Sequence, residues 1–259
     1  CLLYVDEDTR PYECDGLTGH RAVPELVALP ASTEEGQAVV RACHGERVPF
    51  VARGAGTGLS GGATPFAGGV VISLARMNRI LEVDLESQRV VVEPGVANLD
   101  VTRAVAAHGF FYAPDPSSQQ VCTIGGNVAE NSGGAHCPKN GFTVHHVTGL
   151  TMVLPDGDVI ELGGKALDPD GPDLLGLVVG SEGTLGIATR ITLRIVRAPE
   201  TVRTLLAGFE TTDAAGAAVS TIVAAGILPA AIEMMDRLTI EAAELAVAPG
   251  YPVGAGAVL

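Results

Sequence analysis

The densest chemical signal in the sequence is the run Arg53, Gly54, Ala55, Gly56, Thr57, Gly58, Leu59, Ser60, Gly61 and Gly62, five glycines in ten residues. Glycines at that density let successive backbone N–H groups converge on an anion without Cβ obstruction, so a phosphate or pyrophosphate is the natural guest. Gly56 to Gly61 also fits the GxGxxG dinucleotide fingerprint. That fit fails on length. A parallel crossover needs a helix of about ten residues, and Gly61, Gly62, Pro65, Gly68 and Gly69 break every candidate before the apolar run at Val70. The cradle is therefore expected to be walled by loops, not by a helix N-terminus. A P-loop is excluded because no GK[ST] follows the glycines. Apolar strands close on both sides disfavour a plain flexible linker.

A second constellation is Tyr112 to Ser118 together with Thr123 to Gly134. Asp115 stands between two prolines in a restricted turn, and Ser117, Ser118, Thr123, Asn127 and Asn131 supply donors and acceptors with little bulk. That suits a polar, planar ligand, and it suits equally an Asx-type network that only rigidifies a loop. The third motif, Gly180 to Ile187, sets small residues around one carboxylate and taken alone is a turn. His136, His145 and His146 lie near these loops. The adjacent pair would point to opposite faces of a strand, and no carboxylate stands at metal-ligand spacing, so no metal site is assigned. His20, His44 and His108 read as surface or helix-end residues, and Cys122 and Cys137 as packing thiols.

The elements that must position these loops follow from periodicity. A helix is expected over 32–47, N-capped by Ser32 or Thr33, and a strand over 48–52. Three β-branched runs at 70–74, 80–85 and 89–93 read as a small meander. A helix over 98–108, capped by Asn98 and closed by Gly109, precedes a stretch from 113 to 141 that has no sustained period. A loop of that length in a compact domain usually carries function. A hairpin over 147–154 and 159–162, a short helix over 173–179 and a long strand over 186–196 follow. Beyond Pro199, a β-α-β-α order (203–209, 212–225, 230–235, 238–247) opens a second α+β unit.

Composition narrows the classes of function. Hydrophobic residues make up 47% and charged ones 18%, which describes a globular chain, and no run approaches the ~18 apolar residues of a membrane span. Sixteen basic against thirty acidic residues give a net charge of -14, so the basic footprint that nucleic acid or an anionic membrane requires is missing. Five scattered cysteines without a CxxC pair write neither a disulfide framework nor a zinc knuckle, and they read as reduced cytosolic thiols. The chain opens on Cys1 and stops inside the apolar run 255–259, so both ends read as cuts; its polar first ten residues do not read as a signal peptide, and a cut chain could have lost one.

Taken together, Val51 to Gly62, Tyr112 to Ser118, Thr123 to Asn131 and Gly180 to Ile187 resemble the flavin-binding half of the vanillyl-alcohol-oxidase/p-cresol-methylhydroxylase (PCMH) superfamily over nearly the whole chain. Pro11 to Leu17 and Ala231 to Asp236 are most similar to its FAD-linked glycolate-oxidase and D-2-hydroxy-acid dehydrogenase branch. The resemblance implies an α+β fold. A PCMH-type FAD-binding domain of two small α/β subdomains would occupy 1–198, and 199–259 would begin a substrate (cap) domain.

It also implies a distribution of cofactor contacts. The pyrophosphate loop falls on Arg53, Gly54, Ala55, Gly56, Thr57, Gly58, Leu59, Ser60 and Gly61, and the flavin-contacting turn on Pro114, Asp115, Pro116, Ser117 and Ser118. The ribityl and isoalloxazine side falls on Thr123, Gly125, Gly126, Asn127, Glu130, Asn131, Ser132, Gly133 and Gly134. An adenine-side stretch falls on Ser181, Glu182, Gly183, Thr184, Leu185, Gly186 and Ile187. No His or Cys lies between Arg53 and Gly62, so FAD is expected to be non-covalent, and Asn140 stands where relatives commonly carry Tyr. The catalytic base and any metal-binding histidines of such enzymes lie in a later half.

The implied activity is FAD-dependent oxidation of a small 2-hydroxy acid, glycolate or D-lactate, to the 2-oxo acid. Electrons would pass to a second flavin-domain subunit and an iron-sulfur subunit of a complex. That complex is expected in the cytoplasm, with at most peripheral association at the inner face of the membrane and no nucleic-acid partner. The rivals are a same-superfamily oxidase for another substrate, such as an alkylglycerone-phosphate synthase or a sugar-lactone oxidase, and a flavin-binding structural subunit of an oxidase complex. An NAD-dependent dehydrogenase is the weakest of them, because of the missing crossover helix.

Overall fold

The computed structural model describes residues 1–165 and 171–259. Two compact units divide the chain: Cys1–Gly134 with Phe142–Ala198, and Ala135–Gly141 with Pro199–Leu259. The first unit contains a mixed sheet of β1 (Leu2–Leu3), β2 (Leu26–Ala28), β3 (Phe50–Arg53) and β4 (Val70–Ser73) in the order β1-β2-β4-β3. β4 runs parallel to both β2 and β3, and β1 is antiparallel to β2. A short helix α1 (Asp6–Thr9) follows β1, and helix α2 (Thr33–Glu46) joins β2 to β3. Ser32 caps α2 by accepting from the Glu35 amide at 3.3 Å, and Arg47 ends it in the left-handed conformation. The buried side chains of Val40 and Cys43 fasten α2 over Val70 and Ile72.

The meander expected from three successive β-branched runs does not form. β4 is fully buried and takes the centre of the parallel sheet, where a continuous apolar run is required. Only the other two runs pair with each other, as β5 (Ile80–Asp84) and β6 (Arg89–Val92). They belong to a five-stranded antiparallel sheet, β5-β6-β10-β8-β9, built with β8 (Val147–Val153), β9 (Val159–Gly163) and β10 (Ile187–Arg194). β7 (Phe110–Phe111) pairs separately with β11 (Val196–Arg197). The β8–β9 hairpin turns through Pro155, Asp156 and Gly157 as expected, Gly157 taking φ +87°.

Helix α3 (Asn98–Val105) continues through a 3-10 turn to Gly109, whose φ of +76° closes it. Ala97, not Asn98, occupies its capping position. The Asn98 side chain instead donates to the Pro114 carbonyl at 3.0 Å, a longer-range bond than a cap. The stretch read as aperiodic contains two helices, α4 (Ile124–Glu130) and α5 (Cys137–Asn140). Gly125 and Gly126 hid α4, since glycine argues against helix interiors. What forms it is the Thr123 cap, which accepts from the Gly126 amide at 3.4 Å, and the burial of Ile124 and Val128 one turn apart against the second sheet. Helix α6 (Leu174–Val178), capped by Asp173, packs on β8 and β9.

In the second unit, the antiparallel sheet β12-β14-β13 uses Gly208–Phe209, Ala257–Val258 and Met235–Asp236. The expected strands at 203–209 and 230–235 shrink to two-residue edges, and the central β14, set among glycines, carried no readable signal. Helices α7 (Thr212–Ala224) and α8 (Arg237–Val247) lie where periodicity places them, capped by Thr211 and Asp236. No helix among the described residues is long and apolar enough to cross a membrane.

Candidate functional site

A cavity of about 460 Å³ opens within the first unit. Helix α4 is its hub. At one end the Thr123 hydroxyl sits against Gly54, so close that a Cβ on residue 54 would clash with it. At the other end the Val128 and Ala129 carbonyls accept from the amides of Gly180 at 2.8 Å and Glu182 at 2.8 Å. Asn131 closes α4 in the left-handed conformation, and its side-chain oxygen accepts from the Val144 amide at 2.9 Å. From the last turn, the Glu130 carboxylate accepts a hydrogen bond from the Ser60 hydroxyl at 3.0 Å. One short helix thus fixes the glycine loop and the 180–187 turn. The expectation of loop walls alone is corrected: the N-terminal turn of α4 lines the cavity through Thr123, Gly125, Gly126 and Asn127.

The backbone leaves these glycines little choice. A Cβ at Gly125 would lie 2.6 Å from the Pro94 ring, and one at Gly134 would collide with the Asp115 carbonyl. In the 180–187 turn Gly180 and Gly183 adopt positive φ, and Glu182 is itself held at φ +54°. Positive φ is costly for a side chain with a Cβ, so the anchoring of the Glu182 amide to α4 is what sustains it.

Most of the anticipated site residues come together here. Arg53 to Leu59, Pro116 to Ser118, Thr123, Gly125 to Asn127, Glu130 to Gly133, Ser181 to Gly183, Gly186 and Ile187 line the cavity. Ser60, Gly61, Pro114, Asp115, Gly134, Thr184 and Leu185 are not among the lining residues. Several lining residues had no readable signal. Asp15 arrives from the N-terminal segment, Leu74 lies just past β4, and Met152 and Ala188 come from β8 and β10. Cys122, 5% exposed, also lines the cavity, and burial pushes its thiol up, away from the reactive thiolate.

The charge pattern is informative. Arg53 is the single cation among the lining residues, against Asp15, Glu130 and Glu182. Burial lowers the proton affinity of the Arg53 guanidinium, and Asp15 opposes that effect. An anionic ligand must therefore be met mainly by main-chain N–H groups, which the glycine loop presents. Leu74, Met152, Val178, Ile187 and Ala188 add apolar lining suited to a flat ring. Asn127, 1% exposed, has no hydrogen-bond partner for its amide nitrogen apart from the Cys122 thiol it adjoins. A buried donor in that position is worth satisfying, and a polar ring edge in the cavity would do so. The residues present thus fit a ligand that joins a diphosphate to a planar heteroaromatic group, as FAD does.

The histidines stay outside this lining. His145 accepts from the Phe142 amide at 3.0 Å, and His146 is buried with its ring edge-on to Tyr112, centroids 6.0 Å apart. His136 and Asn140 belong to the second unit. No cluster of metal-ligating side chains occurs among the described residues.

Known proteins place this geometry. Residues 24–163 match the family described as FAD binding domain, and residues 198–259 match FAD linked oxidases, C-terminal domain. The chain is 50% identical over 258 residues to glycolate oxidase subunit GlcD of Escherichia coli K12, covering 100% of this chain and 52% of that protein. It is 47% identical over 249 residues to its Bacillus subtilis namesake, covering 96% and 53%. To a D-lactate dehydrogenase of Anaerostipes hadrus it is 39% identical over 238 residues, covering 91% and 50%. The chain therefore spans about half the length of these curated relatives. An alkyldihydroxyacetonephosphate synthase structure superposes with a TM-score of 0.84 at 22% identity, covering 99% of this chain and 52% of that one, a likeness of fold. By its match over residues 24–163 and its identity to these relatives, the chain belongs to the FAD binding domain family of PCMH-type FAD-linked oxidoreductases.

Proposed function

We propose that this chain supplies the FAD site of an enzyme that oxidises a small 2-hydroxy acid, glycolate or D-lactate, to the corresponding 2-oxo acid. The observation that carries the reading is the cavity around α4, lined by the glycine loop and by apolar side chains, in a chain half identical to a glycolate oxidase subunit. FAD, when bound, would accept the hydride from the substrate's C2 and pass the electrons on. The residues of this chain bind and orient. Amides of Gly54 to Gly58 would meet the diphosphate, the 116–118 and 123–134 walls would hold the ring system, and Asn127 would donate to a polar ring edge. Binding is non-covalent in this reading, since Cys122 is buried and protonated and Arg53 to Gly62 contains neither His nor Cys.

A 1–198 cofactor domain followed by a substrate domain from 199 is consistent with the two matched regions. The subunit name of the relatives supports work inside a complex, and we infer a second flavin-domain subunit and an iron-sulfur subunit as electron acceptors, in the cytoplasm. This chain should carry flavin absorbance and gain thermal stability from added FAD but turn over little substrate by itself, and the full-length protein should bleach when glycolate or D-lactate is added without oxygen. Flavin without bleaching by either acid would favour a flavin-binding structural subunit. Neither absorbance nor FAD-dependent stabilisation would overturn the reading.

A further inference from the structure

Residues 12–17 lie ahead of the region matched as the FAD binding domain, yet they pack against the glycine loop, and Asp15 lines the cavity. The Arg53 side chain, 9% exposed, lies packed against the glycine loop. Its Nη1 donates to the Cys14 carbonyl at 2.8 Å and to the Ala63 carbonyl at 3.4 Å, and its Cζ lies 5.5 Å from the centre of the Tyr12 ring. Ala63 lies just past the far end of the glycine loop, so one side chain ties both ends of that loop to the N-terminal segment. Gly56 takes φ +71° over this guanidinium, and a Cβ there would overlap it. Gly16 comes so near that a Cβ would stand 2.7 Å from the Gly58 carbonyl, and Leu17 packs beneath Gly61. Asp15, 5% exposed, accepts from the Leu17 amide at 2.8 Å, which holds the segment's own turn. A loop with five glycines in ten residues has much backbone freedom to lose, so an external brace is what pre-organises it.

We propose that Tyr12 to Leu17 form a clamp that holds the glycine loop in its binding conformation, and that Arg53 is a positioning residue of this clamp, not the cation that pairs with the cofactor's diphosphate. The proposal rests on the reading of the cavity as the FAD site. Two substitutions with different chemistry should then act as one. Arg53→Met removes the guanidinium, and Gly16→Ala leaves every charge in place but forces the segment off Gly58.

The test uses the protein as it is purified, with FAD affinity followed by flavin fluorescence and amide hydrogen exchange read over residues 54–62. Each single variant should weaken FAD on the order of ten- to a hundredfold, the range of a lost hydrogen bond to a charged group. The double variant should be no weaker than the worse single variant within about threefold. In each variant the 54–62 amides should exchange faster without FAD, while those of α2 keep their wild-type rates. Tyr12→Leu, which spares the backbone, gives the gentler probe should Gly16→Ala fail to fold, with a loss of about two- to fivefold. Additive losses in the double variant would overturn the clamp, because an independent cation and an independent brace multiply. Variants with wild-type affinity and wild-type exchange would overturn it as well. Wild-type protein without affinity for FAD is a separate result: it overturns the cavity reading and with it the clamp's part in binding, while the exchange rates still report the brace.

Discussion

Replacing Gly125 with alanine sets helix propensity against packing, with opposite signs. Gly125 lies in the first turn of α4, and a helical Gly→Ala change ordinarily stabilises by about 0.5–1 kcal/mol. Here the new Cβ would meet the Pro94 ring at 2.6 Å and the Pro94 carbonyl at 3.1 Å. Neither neighbour is the end of a flexible side chain, so α4 itself must move away. That movement strains the bond from the Gly125 amide to the Pro94 carbonyl, 2.8 Å, and its neighbour from Ile124 to Val96, 2.9 Å. Overpacking costs roughly 1–3 kcal/mol, and two weakened buried hydrogen bonds add about 0.5–1.5 kcal/mol each. Packing wins, with a net loss of roughly 1.5–5 kcal/mol, or a fall of about 3–20 °C in Tm for a domain of this size. Because α4 also carries Thr123, Asn127 and Glu130 into the cavity, FAD affinity should fall with it. Gly36→Ala, inside α2 with open space around its added Cβ, is the matched control and should raise Tm slightly. Thermal denaturation of both variants with and without FAD decides the matter. A Gly125→Ala protein as stable as Gly36→Ala would refute the packing argument.

Three further outcomes follow from the same structure. Burial would raise the Glu93 carboxyl, but Arg79, through its side chain at 2.7 Å and its amide at 2.8 Å, outweighs burial and holds it below the ordinary range. A depressed carboxyl contributes stability that is present above its unfolded pKa of about 4.3 and is lost as pH falls through the folded value. Glu93→Gln should therefore lower stability at pH 7 by roughly 1.5–3 kcal/mol and flatten the acid limb of the denaturation profile below about pH 4.3; an unchanged limb would refute it. Asn98→Ala should cost about 1–3 kcal/mol and weaken FAD by freeing the turn at 114–118, since the Pro114 carbonyl loses its 3.0 Å donor; a normal urea midpoint with normal FAD affinity would show that turn to be self-supporting. In thiol labelling of the native protein, exposed Cys1 should react first, and buried Cys43 and Cys122, whose thiols burial pushes up, only on unfolding; fast modification of Cys122 blocked by FAD would mean an open thiol in the cavity.

Local chemistry settled much of this protein in advance. The Ser32 cap, the Pro155-Asp156-Gly157 hairpin, helices α2, α7 and α8, and the three glycine-rich loops are written in spacings of a few residues. Caps, turns and amphipathic faces depend only on neighbours along the chain, which is why they are legible there. Tertiary structure decided what depends on partners far away. β4 left the meander for the centre of the parallel sheet because both its faces could be buried there. α4 became a helix despite two glycines because Ile124 and Val128 gain a core, and because Gly125 and Gly54 are the residues small enough to let it approach Pro94 and the glycine loop. Asn98 gave up a cap for a carbonyl sixteen residues away, and Arg53, expected on the pyrophosphate loop, braces that loop through Cys14 and Ala63. The sequence by itself determined which residues compose the glycine loop and that its backbone has the freedom to cradle an anion. Only the fold, by closing α4, the 180–187 turn and the N-terminal segment around that loop, decided how it is held open, since those contacts join residues that no local pattern relates.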